Sequence, residues 1–447
     1  MMNRLRTMFA RTGRGPAASG ASTSARTRRA VPALAAGAAL ALLSGCAGSA
    51  GGGGGGGQGG GEGFEYGAAQ EEVDAAIADL DPVTLTYQPG ASSQNSLTAA
   101  NGLAFQKYVE ERSDGKITLE IVWGQAIASY TELEDALVDG RVDLAFHAAI
   151  YFPEEFPTID AFSKITQYST PAPLTGEAIS TAMMAELGWN TPEHLESFKE
   201  KGLTPLSPLM NSGDYWTACR DTGSSLDDWN GRQMRIAGTA HTAIAEALQA
   251  SPVSMEYGET FEALQRGTVD CTFVQPQVAG STGLLEVAPH VSTFADSRMT
   301  GSATAAHVAG SSFENLPLAY QQILFDGEVD HFHGIIQSTL DAQRQAVIDA
   351  TEAGGEFTDM DPEAEKVMSD VQEQLVDDLI AEGRLPEDIR EQMEESAEKW
   401  TGVVEELGYT DDGELTDFDD WYEPNGVDFR PLGERVFTEA AAAHRPS

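Results

Sequence analysis

The sequence has few cysteines and few basic residues, and it has no apolar run long enough to cross a bilayer. With 3 cysteines in 447 residues, a disulfide-dense scaffold is excluded. The chain carries 27 Lys and Arg residues against 70 Asp and Glu residues, so its formal net charge is −43. So negative a surface repels phosphate backbones, which excludes nucleic-acid binding. The apolar fraction of 41% suffices for two or three domains, each with its own core.

The N-terminus has the organisation of an export signal. Seven arginines precede residue 30, a short Ala/Leu stretch follows over 31–43, and Leu43-Ser44-Gly45-Cys46 comes next. This tetrapeptide resembles the lipobox of bacterial lipoproteins, which implies that Cys46 is lipidated and becomes the mature N-terminus. The alternative is an ordinary cleavable signal with a chance cysteine. We therefore predict a lipoprotein signal peptide over 1–45 and an exported protein, lipid-anchored at the outer face of the cytoplasmic membrane.

Residues 46–81 are predicted to be a tether and an entry segment. Ala47 to Gly63 is almost entirely glycine, with seven in a row from Gly51 to Gly57. Such a composition cannot pack a core and is typical of a flexible linker.

The folded part begins with a βαβ pattern. Residues 83–87 and 117–121 alternate between apolar and polar positions, as strands do, and the residues between them have helical spacing. A helix between two strands indicates a parallel sheet, and hence an α/β fold.

A short internal echo indicates that the chain has two related halves. Residues 136–146 read ALVDGRVDLAF and residues 263–273 read ALQRGTVDCTF, with six identities in eleven positions at a constant offset of 127. In each copy a helix is expected to end at a left-handed glycine, Gly140 or Gly267, with a buried strand directly after it. Chance recurrence of a common turn is the alternative. The echo favours two similarly built α/β lobes.

Two such lobes place a cleft between them, which the carboxyl ends of their strands face. Polar and aromatic residues that follow the strands are therefore candidates for ligand contact. These candidates are Gln94, His147 and Tyr151 in the first lobe, and Gln275 and Gln277 in the second. For His147 a hydrogen-bonded structural role is the alternative.

Three runs in the second half resemble a known family. Residues 229–238 read WNGRQMRIAG, residues 245–255 read AEALQASPVSM, and residues 259–270 read ETFEALQRGTVD. In order and spacing they are similar to motifs of the extracytoplasmic solute-binding proteins of TRAP transporters, the DctP type. The resemblance extends over about 82–312.

The resemblance implies a two-lobed, periplasmic-binding-protein-like α/β fold with a ligand cleft between the lobes and long helices linking them. We expect one lobe over 82–212 plus about 301–345. The other is expected over 213–300 plus about 346–447, with an acidic C-terminal extension.

The resemblance also implies a function. Such a protein captures a small organic anion and delivers it to the membrane subunits of a TRAP permease. The motif arginine of this chain indicates that the anion is a carboxylate. It is not an enzyme, and neither a cofactor nor a metal is expected.

In the matching motif, Arg235 is the residue that pairs with the ligand carboxylate. A guanidinium offers a planar fork of donors to a carboxylate, and a buried arginine needs an anionic partner. An internal salt bridge is the alternative. Many family members carry a second basic residue about twenty positions earlier, where this chain has Tyr215 and Trp216. Arg220 is a candidate substitute, and the two aromatic residues are candidates either for ligand contact or for the core.

The remaining cysteines, Cys219 and Cys271, form an even pair in an oxidising exterior, which favours a disulfide over two buried free thiols. No nucleophile elbow, zinc-protease motif or phosphate-binding glycine loop occurs. The functions left open are a binding protein of an ATP-driven importer or sensor, an exported hydrolase, and a structural surface lipoprotein.

Overall fold

Two β-sheets form the frame of the molecule, and the computed structural model describes residues 62–295 and 297–447. The predicted signal peptide, Cys46 and most of the predicted tether lie outside these residues. The first sheet contains β1 Val83–Gln88, β2 Ile117–Ile121, β3 Leu144–His147, β4 Thr204–Asn211 and β10 Ala303–Ala309. The second contains β5 Trp216–Cys219, β6 Gln233–Ile236, β7 Ser251–Ser254, β8 Cys271–Val274, β9 His290–Thr293 and β11 Glu356–Asp359.

The two sheets repeat one arrangement of strands. The first has the order β2-β1-β3-β10-β4, and the second, from its other edge, β7-β6-β8-β5-β9-β11. In each, three strands run parallel and the fourth, β10 or β5, runs antiparallel to its neighbours. That fourth strand is the first one formed after the chain crosses over from the other sheet. The structure is therefore the two-lobed α/β fold predicted from the sequence.

Helices cover both sheets and join them. In the first half they are α1 Gln70–Ile77, α2 Ala99–Arg112, α3 Leu133–Val138, α4 Pro157–Ser163, α5 Thr175–Trp189, α6 Pro192–Glu200, α7 Leu226–Trp229 and α8 Thr239–Ala247. The second half contains α9 Tyr257–Arg266, α10 Pro276–Thr282, α11 Leu318–Asp326, α12 Glu328–Glu352, α13 Pro362–Ala381, α14 Ile389–Glu406, α15 Phe418–Trp421 and α16 Arg430–Val436. Within the described residues, none of these helices combines the length and apolar character that a membrane span requires.

The chain crosses between the two sheets in two short segments and along one long helix. Residues 212–215 connect β4 to β5, and the segment after β9 returns the chain to β10. The 25-residue helix α12 packs against α2 of the first lobe and α10 of the second. At 1.5 Å per residue it is about 37 Å long, enough to extend along both lobes.

The internal echo corresponds to the same turn in both lobes. Gly140 has φ +77° and Gly267 has φ +71°, both left-handed, and each lies between a helix and a buried strand. The aspartate three residues later, Asp143 or Asp270, accepts the backbone amide of Thr86 or Gln233 on the neighbouring parallel strand, at 2.7 and 2.8 Å. The echo thus predicted a repeated structural unit.

Replacing Gly140 with alanine should destabilise the fold by about 1 kcal/mol, because a Cβ is unfavourable at positive φ. A Cβ at this glycine would meet no atom within 4 Å, so the effect should come from the backbone alone. The measurement is chemical denaturation of the purified protein.

The matched control is Gly402→Ala in the exposed interior of α14, where alanine also meets no neighbour. There the helical propensity of alanine should raise stability by about 1 kcal/mol. Equal effects of the two substitutions would contradict the explanation.

The C-terminal helices differ from the predicted division of the chain, which placed residues 346–447 with the second lobe. α13 does pack on α8 of that lobe, but α14 and α16 pack on α5 of the first. Glu186 on α5 holds α14, because it accepts from Lys399 at 2.6 Å and from the Trp400 indole at 2.8 Å. Asp411 accepts the amide of Leu174 at 2.7 Å, just before α5. Asp411 thus anchors the start of the acidic extension to the first lobe.

Candidate functional site

A cavity of about 280 Å³ lies between the two lobes. Its wall is built from loops at the carboxyl ends of β1, β3, β6, β7 and β8, together with residues of both crossing segments. Parallel strands bring these ends to the same edge of each sheet, so both lobes present their loops to one space. The predicted cleft therefore has a counterpart in the structure.

Arg235, in β6, lies directly behind the wall of this cavity and is fully buried. Its Nε donates to the carbonyl of Met255 at 2.9 Å, and Nη1 donates to that of Phe273 at 3.4 Å. Its guanidinium carbon lies 3.7 Å from the ring centre of Tyr257, a residue of the cavity wall. Nη2 has no hydrogen-bond partner among the described residues, and no carboxylate of that part of the chain forms an ion pair with this arginine.

The repeated strand arrangement shows which residue of the first lobe is equivalent to Arg235. In the parallel pairs of strands, Gln88 of β1 lies opposite Ala145 and Arg235 of β6 lies opposite Thr272. Ala145 and Thr272 are equivalent positions of the echo, 127 residues apart, so Gln88 and Arg235 are equivalent as well. Gln88 is also buried. Its side-chain nitrogen donates to the carbonyl of Ala128 at 2.8 Å, and its side-chain oxygen accepts from the backbone amides of Ile127 and Ala128. The equivalent position of the second lobe thus carries a longer, cationic side chain with one nitrogen left over.

Four of the predicted ligand-contact residues line the cavity: Tyr151, Tyr215, Gln275 and Gln277. Tyr215 belongs to the first crossing segment, and Tyr151 lies at the more exposed edge. The Gln275 amide donates to the Ser212 hydroxyl, and the Gln277 amide donates to Thr339 of α12 at 2.8 Å. Both amides therefore tie the second lobe to the linking segments.

Two of the other predicted candidates, Arg220 and Trp216, are not in the wall. β5 is antiparallel to β8, so its end places Arg220 at the opposite edge of the sheet, where it is exposed. Trp216 lies on the other face of the strand from Tyr215 and packs edge-on against Phe357 at 5.2 Å.

His147 and Gln94 are likewise absent from the wall. His147 is buried, 3.2 Å from Glu134, with its ring against Phe156 at 4.9 Å. Its neighbour Phe146 lines the cavity instead, because successive side chains of a strand point to opposite faces. Gln94 is exposed in the loop after β1.

Sequence reasoning missed three prominent wall residues, Tyr130, His241 and Tyr257. Each lies beyond the residues that directly follow a strand, in a short helical segment after β2, β6 or β7. Burial lowers the pKa of His241 to about 4, so its imidazole is neutral near pH 7. Its ring lies 4.3 Å from that of Tyr215. A search of the first helical turn after each strand would have found all three.

Cys219 and Cys271 are directly opposite each other on β5 and β8, and the structure joins them in a disulfide. The bond lies at the edge of the second sheet away from the cavity, and it closes a sequence separation of 52 residues.

A buried ionic cluster lies where the chain crosses between the lobes. Arg298, in the returning segment, donates to Glu177 of α5 at 2.6 Å, and its Nε is 3.7 Å from Asp214 in the first crossing segment. Glu177 also accepts the backbone amide of Asp214 at 2.9 Å. Burial, together with the nearby Glu177, raises the pKa of Asp214 to about 7 despite the attraction of Arg298. Arg298 is thus the shared cationic partner of two buried carboxyl groups.

A buried group with possible metal-ligand chemistry lies outside the cavity wall. His307, Glu328 and His331 bring one donor atom each within 4.8 Å of one another. Burial opposes ionisation of Glu328, but the two histidines lower its pKa to about 2, so the carboxylate accepts from both imidazoles, at 2.6 and 2.9 Å. These hydrogen bonds satisfy the carboxylate without an ion.

Comparison with known proteins identifies the family. The family model described as "DctP: Bacterial extracellular solute-binding protein, family 7" matches residues 90–382. The chain belongs to this DctP family. An uncharacterized protein of Sinorhizobium fredii is 24% identical over 188 residues, which are 42% of this chain and 33% of that protein. The match therefore spans about a third of the relative's length.

Solved structures with the DctP-family fold resemble this chain over most of their length. A pyroglutamate-specific TRAP solute-binding protein from an unidentified marine microbe has a TM-score of 0.59 at 14% identity and covers 72% of this chain and 100% of its own. The sugar-acid-binding protein DctPAm of Advenella mimigardefordensis, in complex with galactonate, has a TM-score of 0.57 at 18% identity. It covers 72% of this chain and 100% of its own.

A third structure is a marine metagenome TRAP solute-binding protein specific for aromatic acid ligands, also from an unidentified microbe, in complex with 3-hydroxybenzoate. It has a TM-score of 0.57 at 21% identity and covers 72% of this DctP-family chain and 99% of its own.

Proposed function

We propose that this DctP-family protein captures a small organic carboxylate in the cavity between its lobes and delivers it to a TRAP-type membrane permease. The observation that carries the proposal is Arg235, a buried cation with no carboxylate partner in the described part of the chain and one nitrogen unpaired. An unpaired charge is costly to bury, and a ligand carboxylate would supply both the missing charge and the missing acceptor.

The ligands of the three structural relatives support the class of ligand, since pyroglutamate, galactonate and 3-hydroxybenzoate are all carboxylates. The position of the cavity supports capture by closure of the two lobes around the ligand. Residues of both lobes form its wall, and the chain crosses between the two sheets in few places. We further propose that Cys46 carries a lipid anchor and that the glycine-rich tether holds the binding unit near the outer face of the cytoplasmic membrane. The ligand would leave chemically unchanged.

A thermal-shift screen of organic acids with the purified full-length protein tests the proposed function. A ligand that binds the folded state alone should raise the melting temperature, by about 3 °C at a concentration about 100 times its Kd. The uncharged amide of the same acid is the control and should give no shift, because Arg235 requires an anion.

Chromatography of the recovered acid should show no turnover product. Shifts produced equally by acids and amides, or conversion of the acid, would contradict the proposal.

A further inference from the structure

Tyrosine rings line the cavity on both sides. Tyr130 and Tyr151 of the first lobe have ring centres 5.8 Å apart, with their planes inclined at 34°. Tyr257 and Tyr215 come from the second lobe and the crossing segment. Aromatic rings prefer offset-stacked or edge-to-face neighbours at centre distances of about 4.5–7 Å. A flat ring between the lobes would find such neighbours on either side.

The charge around the cavity suits one carboxylate rather than two. Among the described residues that line it, none is Asp, Glu, Lys or Arg. Arg235, behind Tyr257, is the cation next to the wall, whereas the other buried arginine of this region, Arg298, is engaged by Glu177 and Asp214. His241 is neutral near pH 7. A second ligand carboxylate would be desolvated without a cation, at a cost of several kcal/mol.

The two glutamine amides of the wall already have hydrogen-bond partners, although serine and threonine hydroxyl groups also line the cavity. The amides of Gln275 and Gln277 are already hydrogen-bonded to Ser212 and Thr339. Burial raises the pKa of Tyr151 to about 12, so its hydroxyl stays protonated and adds no negative charge. The preference for an aromatic ring therefore rests on the tyrosine rings and on the single neighbouring cation, and not on a lack of hydrogen-bond donors.

We infer that the ligand is a small monocarboxylate whose carbon body is a flat aromatic ring, held between the tyrosines of the two lobes with its carboxylate toward Arg235. This inference rests on the proposed function and narrows it to one chemical class. The volume of about 280 Å³ is at the lower end for small-molecule sites, in keeping with a single ring.

Calorimetric titration of the purified full-length protein with matched acids tests the inference. Benzoate and 3-hydroxybenzoate should bind at least about 10-fold more tightly than cyclohexanecarboxylate, which has the same carboxylate on a saturated ring. Isophthalate, with a second carboxylate, should bind at least about 10-fold more weakly than benzoate. Succinate and galactonate should bind more weakly still.

Equal or tighter binding of succinate, galactonate or isophthalate would overturn the inference and leave the proposed function standing. Binding of none of these acids would count against the proposed function as well.

A pair of variants separates stacking from general packing. Tyr130→Leu combined with Tyr151→Leu should weaken benzoate binding about 10-fold and change that of cyclohexanecarboxylate by less than about 3-fold. Tyr108→Leu, at a half-buried tyrosine of α2 outside the wall, is the control and should alter neither affinity. Equal losses for the two acids in the double variant would show that the tyrosines do not recognise an aromatic ring.

Discussion

Arg235→Gln is expected to abolish most ligand binding while the protein still folds. Removing one partner of a buried charge pair costs about 2–5 kcal/mol, so the affinity for the acid with the largest thermal shift should fall by roughly 30-fold or more. The measurement is calorimetric titration of wild type and variant at the same ionic strength, since exposed charges in so acidic a protein respond to salt.

Glutamine is chosen because the first lobe already uses it at the equivalent position. Gln88 donates to the carbonyl of Ala128, as Arg235 donates to that of Met255. The variant can therefore keep the hydrogen bond to the loop after β7 and lose the cation. Because wild type buries that cation without a carboxylate partner in the described residues, the ligand-free variant should melt within a few degrees of wild type or above it.

Arg220→Gln is the matched control for Arg235→Gln. Arg220 is an exposed arginine at the opposite edge of the same sheet, so its removal changes the net charge equally and should leave the affinity unchanged. If Arg235→Gln bound the acid as tightly as wild type, the arginine would only hold the backbone carbonyls of Met255 and Phe273 and would not be the partner of the ligand carboxylate.

The sequence predicted most of the framework because its signals are local. A helix, a left-handed glycine and a buried strand occupy consecutive residues, and at Gly140 and Gly267 the structure has this turn. The first two strands followed from alternation alone. The side on which the last helices pack depends on distant partners such as Glu186, which no local pattern reveals.

The site was predicted in part, for a geometric reason. The rule that ligands meet the carboxyl ends of parallel strands found Tyr151, Gln275 and Gln277. It does not hold for an antiparallel strand, whose end lies at the other edge, and this is why Arg220 is far from the cavity. Trp216 is next to Tyr215 in the chain, but successive side chains of a strand point to opposite faces, so Tyr215 lines the cavity and Trp216 packs in the core.

Arg298→Met is expected to destabilise the protein strongly near pH 7.5. The substitution leaves Glu177 and Asp214 buried without their cation, and breaking a buried ion pair costs about 3–5 kcal/mol. Urea denaturation of wild type and variant at pH 7.5 and pH 5 measures the loss as the difference in the apparent free energy of unfolding.

The loss should shrink as the pH is lowered. Asp214 already has a pKa of about 7, raised by burial, and removal of Arg298 takes away the attraction that lowers it, so the pKa of Asp214 rises further. Below that value the folded state holds a proton on Asp214 that the unfolded state, in which an aspartate titrates near pH 4, has released, so acidification favours folding. Because one pKa unit corresponds to about 1.4 kcal/mol, the loss at pH 5 should be smaller by roughly 1–3 kcal/mol.

Arg435→Met controls for the change in net charge and for the general effect of pH on so acidic a chain. Arg435 pairs with Glu439 and Glu406 at the surface, where solvent screens an ion pair and leaves it little effect on stability. Its loss should be small at both pH values. A pH-independent loss in Arg298→Met, or one no larger than in the control, would mean that the arginine does not neutralise the carboxyl groups at the crossing. A large loss that acid relieves would instead show that this cation holds together the point where the two lobes join.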